Sequence, residues 1–513
     1  MGNNQPYSQQ DKGFFLMFVV MGILLWGFTI YKALNASFTH DEFTLLSYAE
    51  RSYYGIFIID PPYAGCHIFL TFLAKPIITL FGASEFTLRL PTLIAHLIYL
   101  IFTYRLVVLL HQNRWVRICT WLLLNANPYL LDFYSIGRGY GLAIAMMTVS
   151  CYYFLRFVKE EGKSSKYLFG AFFAGFLAVY TNFTLLNYYV ALLGTWGLYV
   201  LYHVWQSKKF VLPELLQKHW SVPTVTLIMA AIIYTPLKRL VETDQFYFAG
   251  INGFWQDTVR SLARSYIYGM PYGGDIEIIT SIIFAVFFFT SLLILLVHWC
   301  KQRGRNVDWA FTAMLLIFSL AMLSTVVQFH LIDTKYLFER IALFYIPLFF
   351  LSFSFALQYA FRSAFFKKIG ILVVSVLSIF VVYHTIRACN TTTYRDWYYD
   401  RDSKAMMEYL RDEVAPTIEE GERVNVGLKW IFVPSFYFYE KKWKTENQIN
   451  LVNKIDPRME LTPDLNLHYV YVEESDLETL KKDFEWEEVF RNWSSGGILL
   501  KVKKRVDELE VEN

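Results

Sequence analysis

Apolar runs long enough to cross a lipid bilayer recur along the first three quarters of this sequence. A transmembrane helix needs about 20 consecutive apolar residues, and the first such run covers residues 14–34. Only Lys12 precedes it as a basic residue and no small-residue cleavage site follows, so we expect a retained helix rather than a signal peptide. Ten further runs are predicted near 88–110, 117–133, 139–158, 167–182, 184–205, 221–240, 278–300, 309–330, 340–361 and 368–388.

The composition supports a membrane protein and argues against a nucleic-acid-binding one. Of the 513 residues, 55% are hydrophobic and 18% are charged, whereas soluble domains have about 25% charged residues. The net charge of +3 is too small for a nucleic-acid-binding surface. The five cysteines show no CxxC spacing, which predicts neither a structural metal site nor a disulfide framework. We therefore expect the lipid bilayer, and no nucleic acid, as a partner.

The basic residues of the short loops predict the orientation of the helices. Cytoplasmic loops carry an excess of lysine and arginine, so the N-terminus is predicted to be cytoplasmic. Eleven crossings then place the C-terminus on the non-cytoplasmic side, which is periplasmic if the membrane is a bacterial inner membrane. The loops with this excess lie near 114–117, 159–166, 208–218, 301–305 and 362–368.

The chain is predicted to change character at residue 389. Residues 1–388 are expected to form an all-α polytopic membrane domain, with amphipathic helices in the first outer loop. Residues 389–513 are rich in charge and alternate between strand-like and helix-like stretches, which predicts a small soluble α/β domain. The strand-like stretches are 424–428, 469–472 and 498–502, and the helix-like ones are 403–414 and 475–484.

Two adjacent acids, Asp41 and Glu42, follow the first apolar run and precede an amphipathic stretch. Thr39 and Glu42 fit a capping box, in which the glutamate side chain accepts a hydrogen bond from the first backbone amide of a helix. That interpretation explains Glu42 but gives no reason for Asp41 or His40. A catalytic interpretation of the acid pair therefore stays open beside the structural one.

Further charged motifs lie in the loops of the same predicted side. Asp60 precedes two prolines, and Asp132 lies six residues before Arg138 in a segment that ends in Tyr140. The motifs read DPPY at 60–63, SEFTLRLP at 84–91, SIGRGY at 135–140 and ERIALFYIP at 339–347.

This succession of motifs resembles the GT-C glycosyltransferases, within them the branch of protein O-mannosyltransferases and lipid A aminoarabinose transferases. The resemblance covers about residues 14–390 and departs from the family at Ile341, where a tyrosine is usual. It implies transfer of a sugar from a polyprenyl-phosphate carrier to a hydroxyl of a secreted protein or an envelope glycolipid, with inversion at the anomeric carbon.

The resemblance also implies roles for individual residues. Asp41, with Glu42 beside it, is expected to act as the catalytic base, because a carboxylate can accept the proton of the attacking hydroxyl. Arg138 and Arg340, with Lys335 as a third cation, are expected to bind the lipid phosphate. The remaining expected substrate-binding residues are Asp60, Asp132 and Tyr140, and the candidate ligands of a divalent metal cation are Glu42, Asp60, Asp132 and His40.

Other interpretations of these features also stand. Arginines at membrane interfaces often extend their charge to the surface without a catalytic role. A transporter or flippase would also have many apolar helices, although intramembrane repeats are more typical of that class. A receptor or assembly protein would make the C-terminal domain the working part. The outer segment 241–277, rich in aromatic residues and glycine, is either a lid over the site or an interfacial loop.

Overall fold

The computed structural model describes residues 9–207, 217–246, 249–302, 307–362, 365–418, 422–455, 467–480, 484–491 and 495–505. Parts of the basic loops near 208–218 and 301–305, and of the loop 362–368, lie outside these residues. By contacts between residues, the chain divides into two compact units. The membrane unit comprises Met1–Ile30, Arg51–Leu73 and Leu90–Cys389, and the C-terminal unit comprises Tyr31–Glu50, Ala74–Arg89 and Asn390–Asn513.

The described residues up to position 388 are helical in nearly all of their length. Asn113 and Asn127 cap the starts of α6 and α7, and Pro128 lies in the first turn of α7, as expected from their backbone preferences. The helices are α1 Gln9–Asn35, α2 His40–Ala49, α3 Tyr53–Ile58, α4 Ile68–Phe81, α5 Glu85–Leu110, α6 Arg114–Asn125, α7 Pro128–Ser135, α8 Gly139–Lys159, α9 Ser165–Thr181, α10 Leu186–Ser207, α11 Ser221–Glu242, α12 Ser261–Tyr266, α13 Ile276–Lys301, α14 Trp309–Ile332, α15 Tyr345–Arg362 and α16 Lys367–Ala388.

Each of the eleven predicted apolar runs falls on helical structure. Within the described residues, eight helices are long and apolar enough to cross a membrane. The run at 117–133 is broken, because α6 ends at Asn125 and α7 begins only at Pro128, a proline at its first turn. The runs at 167–182 and 340–361 correspond to α9, of 17 residues, and α15, of 18 residues. The chain is a multi-pass membrane protein, and the segment between α1 and α5 carries the expected short helices α2, α3 and α4.

The C-terminal unit contains a small α/β fold, as the alternating pattern predicted. A five-stranded sheet has the order β2-β1-β3-β5-β4, in which β1 pairs in parallel with β2 and β3, and β5 pairs antiparallel with β3 and β4. The strands are β1 Val424–Lys429, β2 Ile449–Ile455, β3 Tyr469–Glu473, β4 Phe484–Arg491 and β5 Gly497–Arg505, and the helices are α17 Ser403–Tyr409, α18 Val433–Trp443 and α19 Leu477–Leu480.

The predicted helix at 475–484 is wrong at its end. In the structure α19 ends at Leu480, and Phe484 begins β4, which pairs with β5. The apolar residues Val470, Leu480 and Leu500 of this region pack in one core cluster. Pairing with β5 therefore decides the conformation from Phe484 onward, which the local sequence pattern does not indicate.

The charge pattern of the loops predicts that the N-terminus lies in the cytoplasm and the C-terminal unit on the other side of the membrane. Reporter fusions active on one side of the membrane only, attached to each terminus, measure this directly. We expect opposite signals at the two ends. Equal signals would contradict an odd number of crossings.

Candidate functional site

The acid pair lies at the first turn of α2, in the C-terminal unit. Thr39 is the residue before the helix, and its backbone amide donates a hydrogen bond to Oε2 of Glu42 at 3.0 Å. The Thr39 hydroxyl donates to the same oxygen at 3.2 Å. Glu42 therefore takes the capping role that the sequence pattern indicated.

Arg89 is the main partner of Glu42. Its guanidinium donates to both oxygens of the carboxylate, from Nε to Oε1 and from Nη2 to Oε2, each at 2.7 Å, and both side chains are fully buried. A bidentate arginine–carboxylate pair of this kind has a fixed geometry and strong hydrogen bonds. Glu42 is thus held on both oxygens, an arrangement that suits positioning of the helix more than proton transfer.

The remaining N–H groups of Arg89 bind the backbone at the end of α1. Nη1 donates to the carbonyl oxygens of Ala33 and Ala36, both at 2.8 Å, and Nη2 donates to that of Ser37 at 2.7 Å. Together with Glu42, these acceptors use all five N–H groups of the guanidinium. The last carbonyls of a helix have no partner within it, so Arg89 supplies one. Sequence reasoning did not single out Arg89, although a charged residue inside a spanning run is a signal for such a role.

C-terminal residues pack around the start of α2 within the same unit. The His40 amide donates to Oδ2 of Asp400 at 2.7 Å, and its ring Nδ1 lies 2.8 Å from the carbonyl oxygen of Ile431. Phe38 stacks on Phe438 with ring centroids 3.8 Å apart. His40 is therefore placed by backbone and carboxylate contacts of the C-terminal chain.

Asp400 is a buried acid that the sequence did not indicate. Its Oδ1 accepts hydrogen bonds from the hydroxyls of Ser435, at 2.7 Å, and Ser403, at 3.4 Å. Burial, and in smaller part the nearby charge of Asp41, raise the pKa of Asp400 from 3.8 to about 8, although the hydrogen bonds from His40 and Ser435 act in the opposite direction. Asp400 thus holds its proton at neutral pH, close to the acid pair.

In the membrane unit, Asp132 lies on the short helix α7. Its side chain is buried, and Oδ2 accepts a hydrogen bond from the hydroxyl of Tyr268 at 2.8 Å. Tyr268 has a φ of +57°, in the left-handed region that favours glycine. Strained conformations at non-glycine residues are often kept at functional sites. The pairing ties Asp132 to the outer segment 241–277.

Arg138 and Tyr140 surround the first residue of α8. Both are buried, so Arg138 lies inside the protein and not at its lipid-facing surface, as a merely interfacial arginine would. The Tyr140 ring packs edge-on against His67, with centroids 5.0 Å apart. Between them, Gly139 approaches His67 so closely that a Cβ would lie 2.5 Å from the ring. Only glycine fits this position.

Lys335 and Arg340 belong to a segment that forms hydrogen bonds with residues of the segment 241–277. Next to Lys335, Tyr336 and Gly250 exchange two backbone hydrogen bonds, of 2.8 and 2.9 Å. Next to Arg340, the amide of Glu339 donates to the Ser261 hydroxyl at 2.9 Å. Two hydrogen-bonded contacts thus fix the segment that carries both cations.

Helix α12 lies between the residues around Asp132 and the residues around Arg340. It packs against α7, which carries Asp132, and against the turn Glu339–Ala342, which carries Arg340. The Asn127 side chain, at the start of α7, also donates to the carbonyl oxygen of Tyr266 in α12 at 3.2 Å. The membrane unit thus positions Asp132 and Arg340 through one helix of the segment 241–277.

Asp60 has a different partner from the residues described above. It forms an ion pair with Arg239 at 3.0 Å, and 57% of its side chain is exposed. Its convergence with Asp41 stays a prediction of the sequence, and so does that of Asp132, because both belong to the membrane unit and Asp41 to the other one.

Among the described residues, no group of three or more His, Cys, Asp or Glu side chains is arranged to hold a metal ion. Glu42 is bonded to Arg89, Asp60 to Arg239, Asp132 to Tyr268 and His40 to backbone oxygen. The divalent cation that the resemblance implied therefore stays a prediction from sequence.

Solved structures with similarity to this chain are known. ArnT from Cupriavidus metallidurans bound to undecaprenyl phosphate superposes with a TM-score of 0.51 at 12% identity, covering 95% of this chain and 98% of that one. An Archaeoglobus fulgidus oligosaccharyltransferase with a tethered acceptor peptide superposes less closely, at 0.45, with 12% identity over 95% of this chain and 74% of that one. The arabinosyltransferase EmbB from Mycobacterium smegmatis reaches 0.41, with 14% identity over 66% and 30%.

No family model matches the sequence, and no curated protein sequence matches it. The assignment of the fold therefore rests on the structural similarity. This chain has the GT-C fold that its motifs suggested.

The Arg89–Glu42 pair predicts a large loss of stability when one partner is removed. Arg89→Leu leaves Glu42 buried without its counterion, which should cost about 3–5 kcal/mol. The double substitution Arg89→Leu with Glu42→Leu should recover part of that loss. Thermal unfolding in detergent measures both, and Arg105→Leu, at an exposed position of the same helix, is the control. Equal melting temperatures for Arg89→Leu and the control would contradict the pairing.

The raised pKa of Asp400 predicts how stability changes with pH. The folded protein holds a proton that the unfolded chain releases above about pH 4, so this contribution to stability is full below pH 4 and is lost as the pH rises to about 8. The melting temperature should fall over that range, and Asp400→Asn should flatten the fall.

Asp400→Asn keeps an acceptor for the His40 amide, whereas Asp400→Ala removes it and should cost about 1–3 kcal/mol. Asp412→Asn, at an exposed carboxylate of the same unit, should leave the pH profile unchanged. An unchanged profile in Asp400→Asn would show that Asp400 is ionised in the folded protein.

Proposed function

We propose that this chain is a membrane glycosyltransferase that moves a sugar from a polyprenyl-phosphate carrier to an acceptor hydroxyl on the non-cytoplasmic face. Its GT-C fold supports this function, and so does the undecaprenyl phosphate bound to ArnT, which has that fold. The observation that carries the proposal is the structural match to ArnT over 95% of this chain and 98% of that one. Within this fold, Arg89 and Thr39 hold Glu42 on both oxygens and so fix the first turn of α2, which carries Asp41.

Asp41 serves as the general base of the reaction. It takes the proton of the acceptor hydroxyl while the hydroxyl oxygen forms a bond to the anomeric carbon of the sugar. The bond from that carbon to the phosphate oxygen breaks at the same time, and the polyprenyl phosphate leaves as an anion. Attack from the face opposite the phosphate inverts the anomeric centre. Glu42, held by Arg89, positions the turn that carries Asp41.

The cations serve the leaving phosphate. A phosphate oxygen is stable as an anion, so the reaction needs no acid to protonate it, unlike the alkoxide that leaves in a glycosidase. Arginine binds such oxygens in bidentate geometry. Arg340 and Lys335 lie on the segment that is paired with the loop at Gly250 and Ser261, and Arg138 is a third, buried cation. Asp132 and Tyr140 orient the sugar.

The roles of Asp41 and Arg340 predict mutants with different defects. Asp41→Asn keeps the size of the side chain but cannot take the hydroxyl proton, so turnover should fall by about two to four orders of magnitude with donor binding nearly unchanged. Arg340→Ala should weaken donor binding as well as turnover, because its charge interacts with the phosphate before and during the reaction. Donor affinity and single-turnover rate, measured for both variants, separate the two roles.

Glu50→Gln is a matched control, since Glu50 lies at the opposite end of the helix that carries Asp41 and is half exposed. It should keep full activity. If Asp41→Asn lowers the melting temperature and leaves the rate of the folded fraction unchanged, Asp41 is a structural residue and the assignment of the base is wrong.

A further inference from the structure

A polar cavity lies in the membrane unit, at the ends of five helices. Its volume is about 270 Å³, and it is lined where α5 and α8 end, α6 begins, α14 begins and α15 ends. The charge pattern of the loops predicts that these ends face the cytoplasm. The site of sugar transfer is proposed for the opposite face, so this cavity needs another explanation. The polar side chains that line it include His111, Arg117, Lys159, Asp308, Gln358 and Arg362.

Three cations of this cavity are held in place without being neutralised. Arg117 Nε donates to the carbonyl oxygen of His111, and Lys159 Nζ to that of Leu109, both at 2.6 Å. The Arg362 guanidinium lies 4.7 Å from the centroid of the Tyr359 ring. Within the described part of the chain, none of the three forms an ion pair with a carboxylate. Carbonyl oxygens and a ring fix their positions but leave their positive charge for a ligand.

The single carboxylate that lines the cavity, Asp308, interacts electrostatically with Lys159 and also has hydrogen-bond partners. Oδ1 of Asp308 accepts a hydrogen bond from the amide of Phe311 at 3.3 Å and so caps the start of α14. Oδ2 accepts a hydrogen bond from the Tyr359 hydroxyl at 3.4 Å. With three cations and one carboxylate, the lining has a net charge of about +2, which favours an anion.

His111 adds a polar atom to the site. Its ring is 1% exposed, and Nδ1 has no hydrogen-bond partner among the described residues, whereas Nε2 lies 2.8 Å from the Ser354 hydroxyl oxygen. That hydroxyl donates its hydrogen to the carbonyl of Leu351 at 2.6 Å, so Nε2 is the donor to Ser354 and Nδ1 carries a lone pair. Burial and the three cations lower the pKa of His111 to about 3 and keep it neutral. Nδ1 of His111 can therefore accept a hydrogen bond from a hydroxyl group of a ligand.

The surface beside the cavity is apolar and continuous with the lipid-facing side of α5. Val108 lines the cavity and is 36% exposed. Ile94, Leu97 and Ile101 are exposed on the same helix, 14, 11 and 7 residues before Val108, so they share one face. A ligand with a polar head in the cavity would lay its apolar part along this face.

We propose that this cavity binds the headgroup of an anionic phospholipid of the phosphatidylglycerol type. The phosphate contacts Arg117, Lys159 and Arg362, a glycerol hydroxyl donates to Nδ1 of His111, and an acyl chain follows the exposed face of α5. Basic pockets between transmembrane helices are known sites for anionic headgroups.

Native mass spectrometry of the full-length protein in detergent, titrated with short-chain phosphatidylglycerol, tests the proposal. Phosphatidylglycerol should bind the wild type and raise its melting temperature, whereas phosphatidylcholine should do neither. Arg117→Gln with Arg362→Gln should weaken phosphatidylglycerol binding about thirtyfold, since two cations near the phosphate are lost. Lys163→Gln with Lys166→Gln removes the same charge from exposed positions of a neighbouring loop and should change nothing.

Three results would overturn the proposal. Equal loss of binding in the Lys163 and Lys166 control would show a diffuse charge effect. Equal stabilisation of the wild type by both lipids, a result that needs no variant, would remove the selectivity for anions. Displacement of phosphatidylglycerol by equimolar inorganic phosphate would make this a site for a soluble anion. Phosphatidylmethanol, which has the same singly charged phosphodiester but lacks the headgroup glycerol hydroxyls, should bind the wild type more weakly, and equal binding would refute the role of His111.

Discussion

The buried pair of Arg89 and Glu42 is the interaction on which the start of α2 depends. Burying two charges is costly unless their geometry is good and their other hydrogen-bonding groups are satisfied. Both conditions hold, because the guanidinium binds the carboxylate at 2.7 Å on each oxygen and gives its other N–H groups to the carbonyls of Ala33, Ala36 and Ser37. One side chain therefore fixes the end of α1 relative to the first turn of α2. Asp41 takes its position from that turn.

Much of the fold follows from features that lie close together in the sequence. The length of an apolar run is set by the thickness of the bilayer, so all eleven runs fall on helices, and strand alternation located β1, β3 and β5. Local patterns failed where contacts with residues distant in the sequence determine the conformation of a segment. The break between α6 and α7 lies inside an apolar run, and α18, with the aromatic sequence VPSFYFYEKKW, is helical because Phe436, Phe438 and Tyr439 are buried. The local signals are confined to one proline in the first turn of each helix, Pro128 in α7 and Pro434 in α18.

In the candidate site, too, some features follow from local sequence and others depend on residues far along the chain. Motifs in the sequence singled out Asp41, Asp132, Arg138 and Arg340, since charges in membrane-proximal loops need a reason. The partners of these residues come from far along the chain, as Tyr268 does for Asp132, and have no motif of their own. Asp400 is a further case, because an acid 360 residues from His40 gives no local sign that it will accept that residue's amide hydrogen. Sequence patterns identify residue types, while the hydrogen bonds that tune them depend on tertiary contacts.

The most direct test of the transferase account is the release of free polyprenyl phosphate from a panel of polyprenyl-phosphate sugars, by purified protein reconstituted in lipid with membrane extract as the source of acceptor. Transfer must leave one carrier phosphate for each glycosidic bond formed, whatever the acceptor. We predict release from at least one donor by the wild type, and release slower by about two orders of magnitude or more with Asp41→Asn. Equal release by the wild type and the folded Asp41→Asn variant, or passage of an intact donor across the membrane without release, would contradict it.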